Sequence, residues 1–239
     1  MTRADTLLRV NAVRYPVTAL GPGRRLGIWV QGCTLACRGC MAQDTWAADG
    51  GSSVAVHLLL DLWRGAVADG ADGLTISGGE PLQQAAAVGA LIDGVRRVSA
   101  DAGAEHDVLL YTGYEVDEVD VEQRSAMKRA DAVMVGRYQI AEPSRLIWRG
   151  SGNQRLIFNT DLGVRRFADI DMSPERWPLQ IRVLADNRAE IVGVPRSRHH
   201  LIAVQRELRA QGIDVDYVSW HDPDAGHTAK AEKSIDRRP

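Results

Sequence analysis

No apolar run in the chain approaches 18 residues, so no membrane-spanning helix is expected. The first ten residues, Met1 to Val10, carry Asp5 and lack a long apolar stretch, which argues against a secretory signal. Positive charge is not in excess: 29 Lys and Arg face 31 Asp and Glu, for a net charge of -2. A nucleic-acid footprint, which normally shows as a basic domain, is therefore not expected. Lysine is scarce. Only Lys128, Lys230 and Lys233 occur beside 26 arginines, a bias that genome composition alone can produce and on which no function is built. No Ser-His-Asp set and no paired carboxylates stand at a readable spacing, so hydrolysis has no support. Internal repeats and long low-complexity segments are also missing. What remains is a 239-residue chain with 45% hydrophobic residues, enough for a real core and for one or two domains.

Cysteine is rare as well, but its placement is informative. The three cysteines, Cys33, Cys37 and Cys40, fall within eight residues. An odd number cannot close a disulfide framework, and a reducing cytoplasm is the expected compartment. Buried core thiols would scatter along the chain. A redox pair at Cys37 and Cys40 leaves Cys33 unexplained. Structural zinc wants four protein ligands, and the nearest following histidine, His57, falls on a predicted helix. An iron–sulfur cluster is the other soft-ligand choice. Three thiolates on a four-iron cluster leave one iron open, and an open metal position is where a substrate or cofactor can bind.

The hydrophobic pattern supplies the setting. Leu7 to Val13 and Pro16 to Leu20 read as two short strands or a hairpin, with Gly21-Pro22-Gly23 as turn punctuation. Strands are expected at Leu26 to Val30, Gly73 to Ser77, Val108 to Tyr111 and Ala132 to Val135, and a fifth at Gln154 to Phe158. Amphipathic helices are expected at Val54 to Val67, Gln83 to Val98 and Glu122 to Ala130. Strands alternating with helices predict βαβ units and a parallel sheet. The first four strands each run into a glycine-containing loop, so those loops project to one mouth beyond the carboxyl ends. The cysteine loop follows the first of them. Beyond about residue 160, strands at Leu179 to Leu184 and Glu190 to Val194, a helix at Ser197 to Gln211 and a strand at Val215 to Ser219 suggest a ββαβ module. Asp161 to Trp177 reads as a linker or irregular cover, and residues 222–239 as a disordered tail. The expected division is 1–160, 161–221 and 222–239.

Ser77-Gly78-Gly79-Glu80-Pro81 closes the second of these strands. Glycines let backbone approach a ligand, and a carboxylate can accept hydrogen bonds from an ammonium group. By itself the motif is also what a tight βα connection looks like. His199-His200 reads as a solvated helix-cap region, the acidic run from Glu115 to Glu122 as a solvated loop, and Trp29, Trp46 and Trp63 as packing residues, Trp46 also as a cover for the cluster.

The spacing Cys33-x3-Cys37-x2-Cys40, directly after a strand and followed by the Gly-Gly-Glu-Pro turn, resembles the radical S-adenosylmethionine superfamily. A narrower likeness lies in three segments. They are Cys33 to Trp46, the Tyr111-Thr112-Gly113-Tyr114 loop, and Gly136-Arg137-Tyr138 through Trp148 to Arg155. Together they resemble the activating proteins of anaerobic ribonucleotide reductase, over about residues 5 to 158.

The resemblance implies a partial (β/α)6 TIM-like barrel, with the ββαβ module as an extension. It implies that Cys33, Cys37 and Cys40 hold a [4Fe-4S] cluster whose remaining iron takes the amino and carboxylate groups of S-adenosyl-L-methionine. Ser77, Gly78, Gly79 and Glu80 would contact the methionine moiety; Thr112, Gly113, Tyr114 and Arg137 would contact the ribose, adenine or carboxylate. An external donor such as flavodoxin or ferredoxin would reduce the cluster, the cofactor would split into methionine and a 5′-deoxyadenosyl radical, and that radical would take a hydrogen atom. Two targets are implied: a glycine of a large partner enzyme, or a small molecule or short peptide, with the extension then closing the barrel. The chain departs from the family where Thr34, Leu35 and Ala36 replace a frequent histidine and Ala42 a frequent asparagine.

Overall fold

The computed structural model describes residues 6–144, 146–168, 178–183, 189–195 and 198–213. Short apolar segments become interior strands here because both faces are covered. β2 (Arg25–Val30), β4 (Gly73–Gly78), β5 (Asp107–Tyr111) and β6 (Ala132–Val135) are buried almost throughout and pair in parallel in the order β2-β4-β5-β6. Continuous burial of this kind belongs to parallel sheets covered by crossover helices. Those helices are α1 (Val56–Ala68), α2 (Ala85–Asp101) and α3 (Val121–Met127). Val56, Leu59 and Trp63 of α1, with Val88, Leu91, Ile92 and Val95 of α2, share one core with Ile28, Ile76, Leu110 and Val133. The opposite face of the sheet carries a smaller cluster of Leu109, Ala132 and Phe167, joined by Tyr111 and Trp148. The three crossover helices therefore cover one face only.

The expected N-terminal hairpin is a single strand, β1 (Leu7–Val17), antiparallel to β2. Its register slips between Arg14 and Val17, where Pro16 has no N–H to give to the ladder. The expected helix from Val54 begins two residues later, because Ser52–Ala55 forms β3 on the outer edge of β1. This strand carries no alternation that a sequence pattern could register. The fifth expected strand is β7 (Arg155–Phe158), but it pairs antiparallel to β6. Among the described residues of the segment between them, 136–154, there is no helix to carry the chain back to the start of the sheet. Among the described residues the result is an open seven-stranded mixed sheet with four parallel strands, which does not close into a barrel.

Asp161–Arg166, expected to be irregular, is helix α4, capped by the Thr160 hydroxyl accepting from Gly163 N. Among the described residues beyond it are β8 (Gln180–Val183), β9 (Ala189–Val192), which form a separate antiparallel pair, and α5 (Arg198–Ala210). His199 and His200 lie in the first turn of α5. The expected strand at Val215 to Ser219 and the tail lie outside the described residues. The β8–β9 pair sits against the far end of β1. Arg14 forms an ion pair with Glu190 at 2.6 Å, and Gln180 donates to Pro16 O at 2.9 Å. That end of β1 pairs with the start of β2, opposite the end where β2 feeds the cysteine loop. No helix among the described residues is long and apolar enough to cross a membrane.

Candidate metal centre

Four parallel strands deliver four loops to one side: 31–51 after β2, 79–84 after β4, 112–120 after β5 and 136–154 after β6. The cysteine loop is anchored at its root by backbone. Gly32 N donates to Thr45 O at 2.7 Å and Cys33 N to Trp46 O at 3.1 Å, so the segment after the cysteines folds back along the segment before them. The buried amide of Gln31 braces the same return, donating to Ala47 O at 2.8 Å and accepting from the Asn11 amide at 2.9 Å. Left-handed backbone at Gly32, Ala36 and Gly39 turns the loop tightly. Ile140, from the loop after β6, packs against Gly39.

All three thiols are half-buried. Burial pushes the Cys33 thiol up, and the nearby Glu80 carboxylate and Cys40 add to the rise. Cys40 is also raised by burial, opposed by the amide of Ala42 and the Trp46 side chain, which bond to its sulfur. Metal binding at such thiols must displace protons. Among the described residues, no group of three or more His, Cys, Asp or Glu side chains has the geometry of a single-ion site. The donor set is three sulfurs on one loop, and that chemistry fits an iron–sulfur cluster.

The Gly-Gly turn fits the same assignment. Gly78 adopts φ of 103°, and a Cβ there would stand 2.5 Å from Val30 N. A Cβ on Gly79 would overlap the Gly32 carbonyl oxygen and lie 3.0 Å from that of Thr45. Without side chains, this strand exit lies flush on the root of the cysteine loop, tied by Gly79 N to Val30 O at 2.8 Å and Glu80 N to Gly32 O at 2.9 Å. The result is a bare backbone ledge bordering the root of the loop that carries the three cysteines.

Glu80 has a different place from the one its motif suggests. Its carboxylate is buried and accepts from Leu82 N (2.9 Å), the Thr112 hydroxyl (2.8 Å) and Gly113 N (2.8 Å). It joins the loop after β4 to the loop after β5. Burial lifts its carboxyl to about 6, and the three donors limit that rise. Thr112 and Gly113 are thereby fixed, and Leu35 of the cysteine loop packs on Gly113. Tyr114 lies beneath the Arg137 guanidinium at 6.0 Å. Arg137 itself is partly exposed, and its guanidinium bonds both oxygens of Glu118 at 2.7 and 2.6 Å. Ser77, the next-to-last residue of β4, pairs with Trp29 of β2.

Four glutamines at this mouth were given no individual role by the sequence. Gln31 and Gln84 brace β2, and Gln84 also donates to Gln31 O at 3.1 Å. Gln154 closes the loop after β6, accepting from Gly150 N at 2.7 Å and donating to Gly136 O at 2.9 Å. Gln83 bridges the cysteine loop and Tyr114. The available signal for Gln83 and Gln84 was a pair of amides in an otherwise apolar helical start.

A one-sided α/β sheet that brings three thiols to a glycine ledge defines a cluster-binding protein. The sequence agrees: residues 19–157 match the family model described as the 4Fe-4S single cluster domain. The chain is 34% identical over 143 residues to the anaerobic ribonucleoside-triphosphate reductase-activating protein of enterobacteria phage T4, covering 59% of this chain and 88% of the relative. The protein of that name from Haemophilus influenzae is 35% identical over 147 residues, and that from Escherichia coli strain K12 is 31% identical over 147; each match covers 59% of this chain and 92% of the relative. The chain belongs to the 4Fe-4S single cluster domain family, together with these activating proteins.

Proposed function

We propose that this chain is a radical S-adenosylmethionine activase that generates a glycyl radical on an anaerobic ribonucleotide reductase. Cys33, Cys37 and Cys40 hold the [4Fe-4S] cluster. When bound, the cluster and S-adenosyl-L-methionine together supply a carbon radical able to abstract a hydrogen atom. The protein's own part is placement. The Gly78–Gly79 backbone receives the methionine end at the open iron. Glu80, held by three donors, keeps Thr112 and Gly113 level with that ledge. Tyr114 offers a ring face at the same mouth. Arg137 reaches the ligand only by leaving Glu118, so it acts as a rim cation. The observation that carries this reading is the three-thiol loop against the Gly-Gly ledge, in a chain whose relatives bear the activating-protein name.

The crossover helices lie on one face and the other face is free of them, which supports reading the open sheet as a shortened partial barrel. The described β8–β9 pair lies at the opposite pole, so it leaves the mouth open to a large partner and favours an activase over a small-molecule enzyme with a closed pocket. Anaerobic reconstitution with iron and sulfide, followed by incubation with reductant, S-adenosylmethionine and the reductase, tests the proposal. A glycine-centred signal on the partner by electron paramagnetic resonance, lost in Cys37→Ala, is the expected result. Cofactor cleavage by Cys37→Ala, or no radical with any such partner, overturns it.

A further inference from the structure

Cys33 differs from Cys37 and Cys40 in how its backbone is held. The peptide before it donates to Trp46 O at 3.1 Å. The peptide after it, Thr34 N, donates to the Gln83 side-chain oxygen at 3.2 Å. The same amide's nitrogen donates to the Thr34 hydroxyl at 2.6 Å and to the Tyr114 hydroxyl at 3.2 Å. Gln83 thus uses its carbonyl and both amide hydrogens, and it holds Thr34 at two points. Both peptide planes flanking Cys33 are held, one by the returning strand of its own loop at Trp46 and the other by Gln83 from outside the loop, which leaves its φ and ψ little freedom. Gln83 stands three residues beyond Glu80, in the short 3-10 turn that continues from the glycine ledge. One side chain therefore links the first cysteine, the ledge and the Tyr114 loop.

We infer that Gln83 is a positioning residue that sets the first cluster thiol against the Gly78–Gly79 ledge before any metal arrives. The inference rests on Cys33 being a cluster ligand. A ligand held in register with the ledge keeps the open iron facing the cofactor's amino and carboxylate groups, since a misplacement near 1 Å is costly in such sites. Substitution at Gln83 should therefore act on Cys33 more than on Cys37, and on cofactor affinity more than on iron content.

Two variants separate the role from simple stability. Gln83→Leu removes all three hydrogen bonds. Gln83→Glu keeps the shape, and the Thr34 and Tyr114 hydroxyls can rotate to donate to the carboxylate, so the clip survives. The first readout uses metal-free full-length protein: iodoacetamide alkylation of Cys33 relative to Cys37, followed by mass spectrometry. Gln83→Leu should raise that ratio about fivefold, the scale of one net hydrogen bond, whereas Gln83→Glu should stay within about twofold of the parent. The second is equilibrium binding of S-adenosylmethionine to the reconstituted cluster, weakened about fivefold in Gln83→Leu at full iron content. An unchanged ratio and affinity in a folded Gln83→Leu protein overturns the inference. So does a Gln83→Glu protein as impaired as Gln83→Leu. If Gln83→Leu fails to fold, Thr34→Val removes the hydroxyl partner alone; at least a twofold rise in the ratio is expected there, and none overturns the inference. The alkylation readout needs neither cluster nor partner, so its failure is distinct from failure of the activase reading.

Discussion

Replacing Gly79 by alanine puts one methyl group between the β4 exit and the root of the cysteine loop. The new carbon would overlap the Gly32 carbonyl oxygen and stand 2.9 Å from its carbon and 3.0 Å from the Thr45 oxygen. All three atoms are backbone, so no side chain can swing aside. Relief requires the two loops to part by on the order of 1 Å, given that non-bonded carbon contacts settle at about 3.5 Å or more. The bonds Gly79 N to Val30 O and Glu80 N to Gly32 O, now 2.8 and 2.9 Å, would then be lost. Two lost hydrogen bonds at about 1 kcal/mol each, with overpacking of about 1–3 kcal/mol, are partly offset by about 0.5 kcal/mol from a stiffer unfolded chain. The net cost is about 3 kcal/mol, a large share of a typical domain stability of about 5–15 kcal/mol. Urea denaturation of the metal-free protein should show a midpoint lower by about 1 M, from a slope near 2–3 kcal/mol per M. The cysteines are untouched, so iron uptake should persist while S-adenosylmethionine ceases to perturb the cluster spectrum. An unchanged midpoint together with intact cofactor binding would refute the reasoning.

Gly65 is the matched control: it lies in α1, and a Cβ there meets nothing within 4 Å, so Gly65→Ala should raise stability by about 0.5–1 kcal/mol in the same urea titration. Arg25 and Asp107 form a fully buried ion pair at 2.6 Å at the amino ends of β2 and β5, the end of the sheet opposite the mouth. Arg25→Met or Asp107→Leu alone should cost about 3–5 kcal/mol, and the double variant should recover much of the loss; additive losses in a double-mutant cycle would contradict a coupled pair. Glu80 titrates near 6 in the folded chain against an ordinary 4.5, because burial disfavours its charge. The stabilisation from holding that proton is therefore full below about pH 4.5 and disappears as pH rises through 6, about 2 kcal/mol in all. Glu80→Gln should remove that pH dependence between 4.5 and 6 in denaturation midpoints, and a persistent slope would assign it elsewhere.

Much of the site was legible in the chain itself. Cys33, Cys37 and Cys40 declare a soft-metal loop through spacing, and the apolar runs before each glycine-containing loop declare parallel strands with one common mouth. Both signals are local, because ligand spacing and two-sided burial are written in adjacent residues. Other features depended on contacts between distant segments. Nothing in Arg155–Phe158 states that it will pair antiparallel; the absence of a helix among the described residues of 136–154 goes with that pairing. The pairing of β3 with β1 is equally silent, since Ser52–Ala55 has no periodicity and gains its structure from an available edge. Glu80 resembles a ligand contact in its motif, yet in the fold it is a brace, because three donors from two loops reach it first. Arg137 reads as a carboxylate fork until Glu118 is placed beside it.

The sequence alone determined the metal chemistry and the direction of the parallel core, because both follow from residues close together in the chain. The tertiary structure decided which polar groups remain available to a ligand, that the sheet stays open, and that the described β8–β9 pair sits away from the mouth. Those outcomes are long-range: hydrogen-bond partners and packing faces are assigned only when segments far apart in sequence meet, and no local pattern encodes who arrives first.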